Sequence, residues 1–199
     1  MITGFGRTGR WFGCQHDGAV PDVMTIGKGM AGGFPVSGVV TTPEIAGSRP
    51  FANPGGSSSS YGGNPLASAA ADATLRVIEE EGLVGLSAET GALLLARLKK
   101  LQDKYPFVGD VRGRGLLIGL ELVTDRGSRK PWPKDACRAV FDECLSRGLL
   151  TMAYSPSVRI NPPLNIPAEL ALRGADILDE SLGAAARRLD IGANIGARH

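Results

Sequence analysis

Residues 22–29 read Asp-Val-Met-Thr-Ile-Gly-Lys-Gly, a short apolar stretch that ends in a lysine between two glycines. The stretch predicts a strand, and a second β-branched run at 37–42 predicts a neighbouring strand of an interior sheet. The glycines beside Lys28 remove side-chain bulk, so a planar ligand can approach the backbone there. A lysine that is desolvated or near another cation loses its proton more easily and can condense with an aldehyde. Lys28 is therefore a candidate covalent anchor, and the alternative is a strand-end lysine that extends into solvent.

The composition is that of an ordinary soluble globular protein. The chain has 199 residues, 43% hydrophobic and 21% charged, with a net charge of +2. This length fits one domain or two small ones. Scattered basic residues give no reason to expect nucleic acid, and no apolar run approaches the length of a membrane span.

The cysteines and histidines limit the chemistry and the compartment. The three cysteines provide no disulfide framework, which favours a reducing compartment, and we expect a cytoplasmic protein. With only His16 and His199, the sequence gives poor support for a histidine-rich metal site or a Ser-His triad, and we expect no metal.

The order of elements predicts an α/β protein. Asn64 and Pro65 resemble an N-cap and first helical position, and Gly82 ends that helix. A helix is expected after Ser87, with an apolar stripe formed by Leu94, Leu98, Leu101 and Tyr105. Further elements are expected in this order: a turn at 110–115, a strand at 116–123, a helix at 134–147, strands near 149–152 and 158–160, and a helix at 167–188. We divide the chain into residues 1–63, connecting helices at 64–105, a small α/β domain at 106–190, and a frayed tail at 191–199.

Four motifs in this order resemble the class III (ω-amino acid) aminotransferases. They are GFGRTG at 4–9, DVMTIGKG at 22–29, SYGGNP at 60–65 and VRINPP at 158–163, and the segment GDVRGRGLLIGLELV at 109–123 also matches. The resemblance covers roughly residues 2–185. It implies a truncated pyridoxal-phosphate-dependent transferase of fold type I, with the end of the large-domain sheet followed by the C-terminal small α/β domain.

The resemblance implies a role for three residues. Lys28 is the Schiff-base lysine, which binds the cofactor and moves a proton between the substrate carbon and the cofactor. Ser60 stands where the family usually has a threonine whose hydroxyl and backbone N–H reach the cofactor phosphate of the partner subunit. Arg159 grips the substrate carboxylate through a planar two-donor fork. The plainer alternatives are a structural lysine, a loop serine in a serine run, and a solvated arginine at a strand edge.

The family chain is longer than this one. In relatives the GFGRTG loop follows a strand ending in Asp-Glu-Val, and Met1 stands about where that valine would be. The family's aspartate there pairs with the pyridine nitrogen. We therefore expect a start codon placed inside a longer reading frame, exposed apolar sheet edges, and negligible transamination by the chain alone.

The implied reaction is transfer of an amino group from an ω-amino acid, such as 4-aminobutyrate, to a 2-oxo acid. An alternative within the family is decarboxylation coupled to transamination, as in 2,2-dialkylglycine decarboxylase. A third possibility is a non-catalytic fragment that only binds a partner. The resemblance also implies a homodimer for the intact protein.

Overall fold

The computed structural model describes residues 1–153 and 155–189, which form two compact units that divide between Leu86 and Ser87. The helices are α1 (Pro43–Ala46), α2 (Pro65–Glu80), α3 (Leu83–Lys104), α4 (Lys134–Ser146) and α5 (Ala168–Arg188). The strands are β1 (Val23–Gly27), β2 (Ser37–Thr41), β3 (Val108–Arg114), β4 (Leu117–Asp125), β5 (Lys130–Pro131) and β6 (Ser157–Ile160). The domain boundaries inferred from the sequence remain predictions, and the tail expected at 191–199 lies outside the described residues.

The first unit contains a two-stranded antiparallel ribbon instead of the expected interior sheet. β1 and β2 pair from Val23 opposite Thr41 to Gly27 opposite Ser37. The side chains of Val23, Val39 and Val40 are about half exposed. Two strands cannot bury both of their faces, which is why β-branched residues that predict an interior strand lie at the surface of this chain.

Helix α2 begins as the sequence predicts. The Asn64 side-chain oxygen accepts hydrogen bonds from the backbone N–H groups of Leu66, at 2.9 Å, and Ala67, at 3.2 Å. Pro65 takes the first helical position, and Gly82 follows the helix end with a φ of 61°. The cap satisfies donors that have no partner inside the helix, so it fixes where the 50–63 loop ends.

The second unit is an antiparallel sheet combined with three helices. β4 pairs with β3 along one edge, and with β5 and β6 along the other. The helix stripe of Leu94, Leu98 and Leu101 is buried in one core, as its spacing predicts. The core also includes Leu116, Ile118, Leu120, Leu122, Val140, Cys144, Val158, Leu178 and Leu182.

Three predicted elements of this unit are wrong. Residues 110–114 belong to β3 rather than to a turn, because Val111 points into the core and Arg112 outward in the alternation of a strand. No strand occurs in the described residues 149–153, where the Leu149 backbone N–H donates instead to the Cys144 carbonyl oxygen at the end of α4, at 2.9 Å. Helix α3, which the sequence predicts after Ser87, begins earlier, at Leu83. Ser87 is buried inside the helix, and its hydroxyl accepts a hydrogen bond from the Leu116 backbone N–H at 3.3 Å.

Asp179 of α5 gathers three donors from α3 and the turn after it. Its carboxylate accepts hydrogen bonds from Lys104 at 2.6 Å, Tyr105 at 2.7 Å and Arg97 at 2.9 Å. Burial alone would raise the pKa of Asp179, but these hydrogen bonds outweigh it and hold the pKa below its usual value.

No helix among the described residues has the length and apolar character needed to cross a bilayer.

Replacement of Asp179 by asparagine should weaken the pH dependence of the free energy of unfolding between pH 7 and pH 3. A carboxylate whose folded pKa is depressed stabilises the fold above its unfolded pKa, and that contribution is lost as the pH falls through the folded pKa. We expect Asp179→Asn to lower the free energy of unfolding by about 2 kcal/mol at pH 7, with a smaller difference near pH 3. Urea unfolding at both pH values measures this. Asp142→Asn, which removes an exposed pair with Arg138, is the control with an expected loss below about 0.5 kcal/mol. Equal losses in the two variants would contradict the prediction.

Candidate active site

Lys28 occupies a strained backbone position. β1 ends at Gly27, and Lys28 begins a 3₁₀ turn that runs to Ala31. Its φ is 58°, in the left-handed region that residues other than glycine rarely adopt. Such backbone strain is found most often at functional sites.

The turn holds Lys28 in place while leaving its side chain in solvent. Met30 and Ala31 are buried and anchor the turn. Lys28 itself is exposed. A β-carbon at Gly27 would lie 3.3 Å from the carbonyl oxygen of Val36, so the residue before the lysine is also closely confined. The amine is accessible to a ligand, and its attachment point is fixed.

Ser60 lies in the exposed loop at 50–63. Its side chain is exposed, and its hydroxyl makes no hydrogen bond within the described residues. The next residue, Tyr61, is 83% exposed. At the end of this loop Asn64 already occupies the Leu66 and Ala67 N–H groups, so Asn64 acts as a helix cap, as the sequence predicts. The Ser60 hydroxyl is exposed and has no internal partner in this part of the chain, and its role toward a phosphate stays a prediction.

Arg159 projects from β6 on the side of the sheet opposite to buried Val158. Its guanidinium lies 3.3 Å from the sulfur of Met152 and has no carboxylate partner among the described residues. A thioether is a weak acceptor, so most of the hydrogen-bonding capacity of this fork remains open. The charge and planar donors of Arg159 are available to an external carboxylate.

The three predicted residues are divided between the units. Lys28 and Ser60 lie in the first unit, and Arg159 lies in the second. No hydrogen bond connects Lys28 with Ser60 in the part of the chain that the structure describes. Each residue therefore keeps its role as a prediction. The left-handed backbone of Lys28 was not predicted, and its only signal in the sequence is the pair of flanking glycines.

Solved structures of transaminases have the same fold. A Bacillus anthracis aminotransferase matches with a TM-score of 0.84 at 33% identity, over 92% of this chain and 43% of that one. The omega transaminase from Pseudomonas jessenii in complex with PMP matches with a TM-score of 0.85 at 31% identity, over 96% and 44%. These neighbours define the class: the chain has the fold of part of a fold type I, pyridoxal-phosphate-dependent transaminase.

The sequence comparisons identify the family within that class. The profile of the class-III aminotransferases matches residues 1–182. The human mitochondrial alanine–glyoxylate aminotransferase 2 is 42% identical over 82% of this chain and 32% of its own length. The 4-aminobutyrate aminotransferase of Mycobacterium leprae is 40% identical over 91% of this chain and 40% of its own. The chain belongs to the class-III aminotransferase family, and it spans less than half the length of these curated relatives.

Pyridoxal phosphate is the cofactor of this family, and the described residues fit it at two points. Lys28 presents an accessible amine for the aldehyde, on a backbone that holds it in place. Ser60 presents a hydroxyl without an internal partner for the phosphate.

Proposed function

We propose that this chain carries the lysine, the phosphate-binding serine and the substrate arginine of an aminotransferase. The reaction transfers an amino group from an ω-amino acid, such as 4-aminobutyrate, to a 2-oxo acid. The observation that carries the proposal is the exposed Lys28, held between two glycines with a φ of 58°. Two relatives support a donor whose amine is remote from its acid group: the 4-aminobutyrate aminotransferase and the taurine–pyruvate aminotransferase of Rhodobacter capsulatus, which is 40% identical.

Lys28 anchors the cofactor and then acts as the base. When bound, pyridoxal phosphate withdraws electrons from the substrate carbon that bears the nitrogen and so makes its proton acidic. The Lys28 amine, once released by the incoming substrate, takes that proton and returns it to the acceptor atom. The fixed backbone of Lys28 limits where Nζ can reach, which favours one path for the proton.

Arg159 orients the substrate, and Ser60 contributes to the phosphate site. The planar guanidinium of Arg159 binds the substrate carboxylate through two parallel hydrogen bonds. The Ser60 hydroxyl donates to the cofactor phosphate of a second subunit, so we propose a homodimer for the intact protein. We also propose a cytoplasmic location from the cysteine content, although human alanine–glyoxylate aminotransferase 2 is mitochondrial.

A chimera tests this proposal at the level of activity. This chain replaces the C-terminal part of the Mycobacterium leprae 4-aminobutyrate aminotransferase, which supplies the remaining length. We expect 4-aminobutyrate to be consumed with 2-oxoglutarate or pyruvate as acceptor. Release of CO₂ from 2-aminoisobutyrate would favour the decarboxylase alternative instead. A chimera that folds and binds the cofactor, yet converts no amine, would favour the non-catalytic alternative.

In the same chimera, Arg159→Lys should weaken use of the substrate that carries the carboxylate. Lysine keeps the charge but loses the two-donor fork, so we expect kcat/KM to fall about tenfold to a hundredfold, mostly through KM. Steady-state kinetics over a range of 2-oxo acid concentrations measure the effect. Arg138→Lys, on the exposed side of α4, is the control. A fall of the same size in the control would contradict the role of Arg159.

Racemisation is a second candidate function. The leucine/methionine racemase of Thermococcus litoralis is 39% identical over 90% of this chain. Racemisation removes the proton from the substrate carbon and returns one to the opposite face of the same carbon, so it needs no 2-oxo acid. Loss of enantiomeric excess from leucine or methionine in the chimera, without any acceptor, would favour this reading over amino transfer.

A further inference from the structure

Arg159 has an unusual neighbour in the sheet. Gly119 of β4 lies directly opposite Arg159 of β6 and also directly opposite Arg112 of β3. Residues opposite each other in an antiparallel pair place their side chains on the same face. Arg112, Gly119 and Arg159 therefore form one row across three strands, with the two arginine Cα atoms about 10 Å apart. The middle position of the row has no side chain.

This row lies on the outer face of the sheet. Ile118 and Leu120, on either side of Gly119, are buried in the core, so position 119 points the other way. Arg112 and Arg159 are exposed. A β-carbon at Gly119 would meet only the Arg112 carbonyl oxygen, at 3.9 Å. Neither packing nor a positive φ requires glycine there, so we call the open space above Gly119, between the two arginines, the Gly119 slot.

The carboxylates that share this face are already engaged. Asp110 accepts a hydrogen bond from Arg112 at 2.7 Å. Glu121 pairs with Arg129 and lies 4.0 Å from Arg112. Arg159, by contrast, has only the Met152 sulfur as a partner among the described residues. At one end of the row, the Arg112 guanidinium is paired with carboxylates. At the other end, the Arg159 guanidinium has no carboxylate partner among the described residues, and it lies beside Gly119, which has no side chain.

We propose that Gly119 is a specificity-determining residue, and that its slot takes the first methylene groups of an acid whose carboxylate binds Arg159. This inference rests on the proposed role of Arg159. Arg112, held by Asp110, forms the far wall of the slot. The ligand class is a small aliphatic acid, unbranched next to the carboxylate, because a branch on the acid, or a side chain much larger than a methyl group at position 119, would fill the space that those carbons need.

Arginine modification tests this on the full chain without any cofactor. Phenylglyoxal modifies exposed arginines, and mass spectrometry of tryptic peptides gives a rate for each one. Glutarate serves as the probe because it carries carboxylates but no reactive carbonyl. Sodium chloride of matched ionic strength controls for screening. At glutarate equal to twice its Kd, we expect modification of Arg159 to slow about threefold, while that of Arg138 is unchanged.

Three variants separate the slot from the arginine. Gly119→Ala adds one methyl group in open space and should retain most of the protection. Gly119→Leu fills the slot and should abolish it. Gly119→Glu places a carboxylate opposite Arg159 and should slow its modification even without glutarate. Thermal unfolding of each variant checks the fold, and the alanine and glutamate variants keep the test decisive if the leucine variant does not fold.

The outcomes are distinct. If glutarate protects Arg159 in the wild type and equally in Gly119→Leu, the role of Gly119 is overturned and the role of Arg159 stands. The same conclusion follows if Gly119→Glu does not change the rate at which Arg159 is modified. No protection of Arg159 in the wild type overturns its role in the proposed function, and the slot with it. Protection lost in Gly119→Leu and kept in Gly119→Ala supports the slot.

Discussion

Replacement of Lys28 by arginine should remove most of the covalent capture of pyridoxal phosphate by this chain. Arginine keeps the positive charge but cannot act as the nucleophile at neutral pH. The chain has six lysines, and Lys28 is the only one among the first 98 residues. The other five are Lys99, Lys100, Lys104, Lys130 and Lys134. At less than one equivalent of cofactor, we expect Lys28 to carry about ten times the adduct of any other lysine, since only there does a fixed turn present the amine beside glycines.

Borohydride reduction followed by tryptic mass spectrometry measures this capture. A modified Lys28 resists trypsin, and the Arg49–Pro50 bond does as well, so the adduct appears on one peptide that spans residues 11–76. Total incorporation in Lys28→Arg should fall to about a third of that in the unaltered chain or less. Lys134→Arg, which removes an exposed lysine of the second unit, is the control and should leave incorporation unchanged. Adduct spread evenly over the six lysines would contradict the assignment of Lys28 as the anchor.

Local signals were sufficient for the two ends of α2 and for the buried face of α3. Asn64, Pro65 and Gly82 marked the two ends of α2 because capping depends on side chains that are close in sequence. The stripe of Leu94, Leu98 and Leu101 predicted a buried helix face, since a helix repeats every 3.6 residues whatever it packs against.

Strand pairing was harder to predict because it depends on distant residues. The run at 110–115 carries four alternating arginine and glycine positions, at 112–115, which resembles a turn, yet it pairs with β4 along almost its whole length. Residues 149–152 are apolar enough for a strand, but they pair with no strand among the described residues. A sequence window shows propensity and does not show which segments will pair with one another.

The candidate site divides in the same way. The residue types of Lys28, Ser60 and Arg159 were available from motifs. The left-handed backbone of Lys28 and the row through Gly119 were not, because φ is set by the surrounding turn and register by strand partners. The motifs therefore indicate which groups could react, and the fold indicates which spaces beside them are open.

Gly91 of α3 is expected to be important for the stability of the second unit. A methyl group at Gly91 would lie 2.2 Å from the carbonyl carbon of Gly115, in the turn between β3 and β4. Backbone atoms cannot move aside as a flexible side chain can. The helix and this turn are also joined by a hydrogen bond from the Leu116 backbone N–H to the hydroxyl of Ser87, which lies one helical turn before Gly91. Helix and hairpin can thus approach this closely only where neither has a side chain.

Gly91→Ala should therefore lower the free energy of unfolding by about 3 kcal/mol, because the helix and the hairpin must separate to admit the methyl group. Gly85→Ala is the matched control on the same helix. A methyl group there meets nothing within 4 Å, so alanine should raise stability by about 0.5 kcal/mol through its better helix propensity. Urea unfolding of both variants, with unchanged m values, measures the difference. If the two substitutions shift the unfolding midpoint in the same direction, the close approach of α3 to the β3–β4 turn does not limit the stability of this unit.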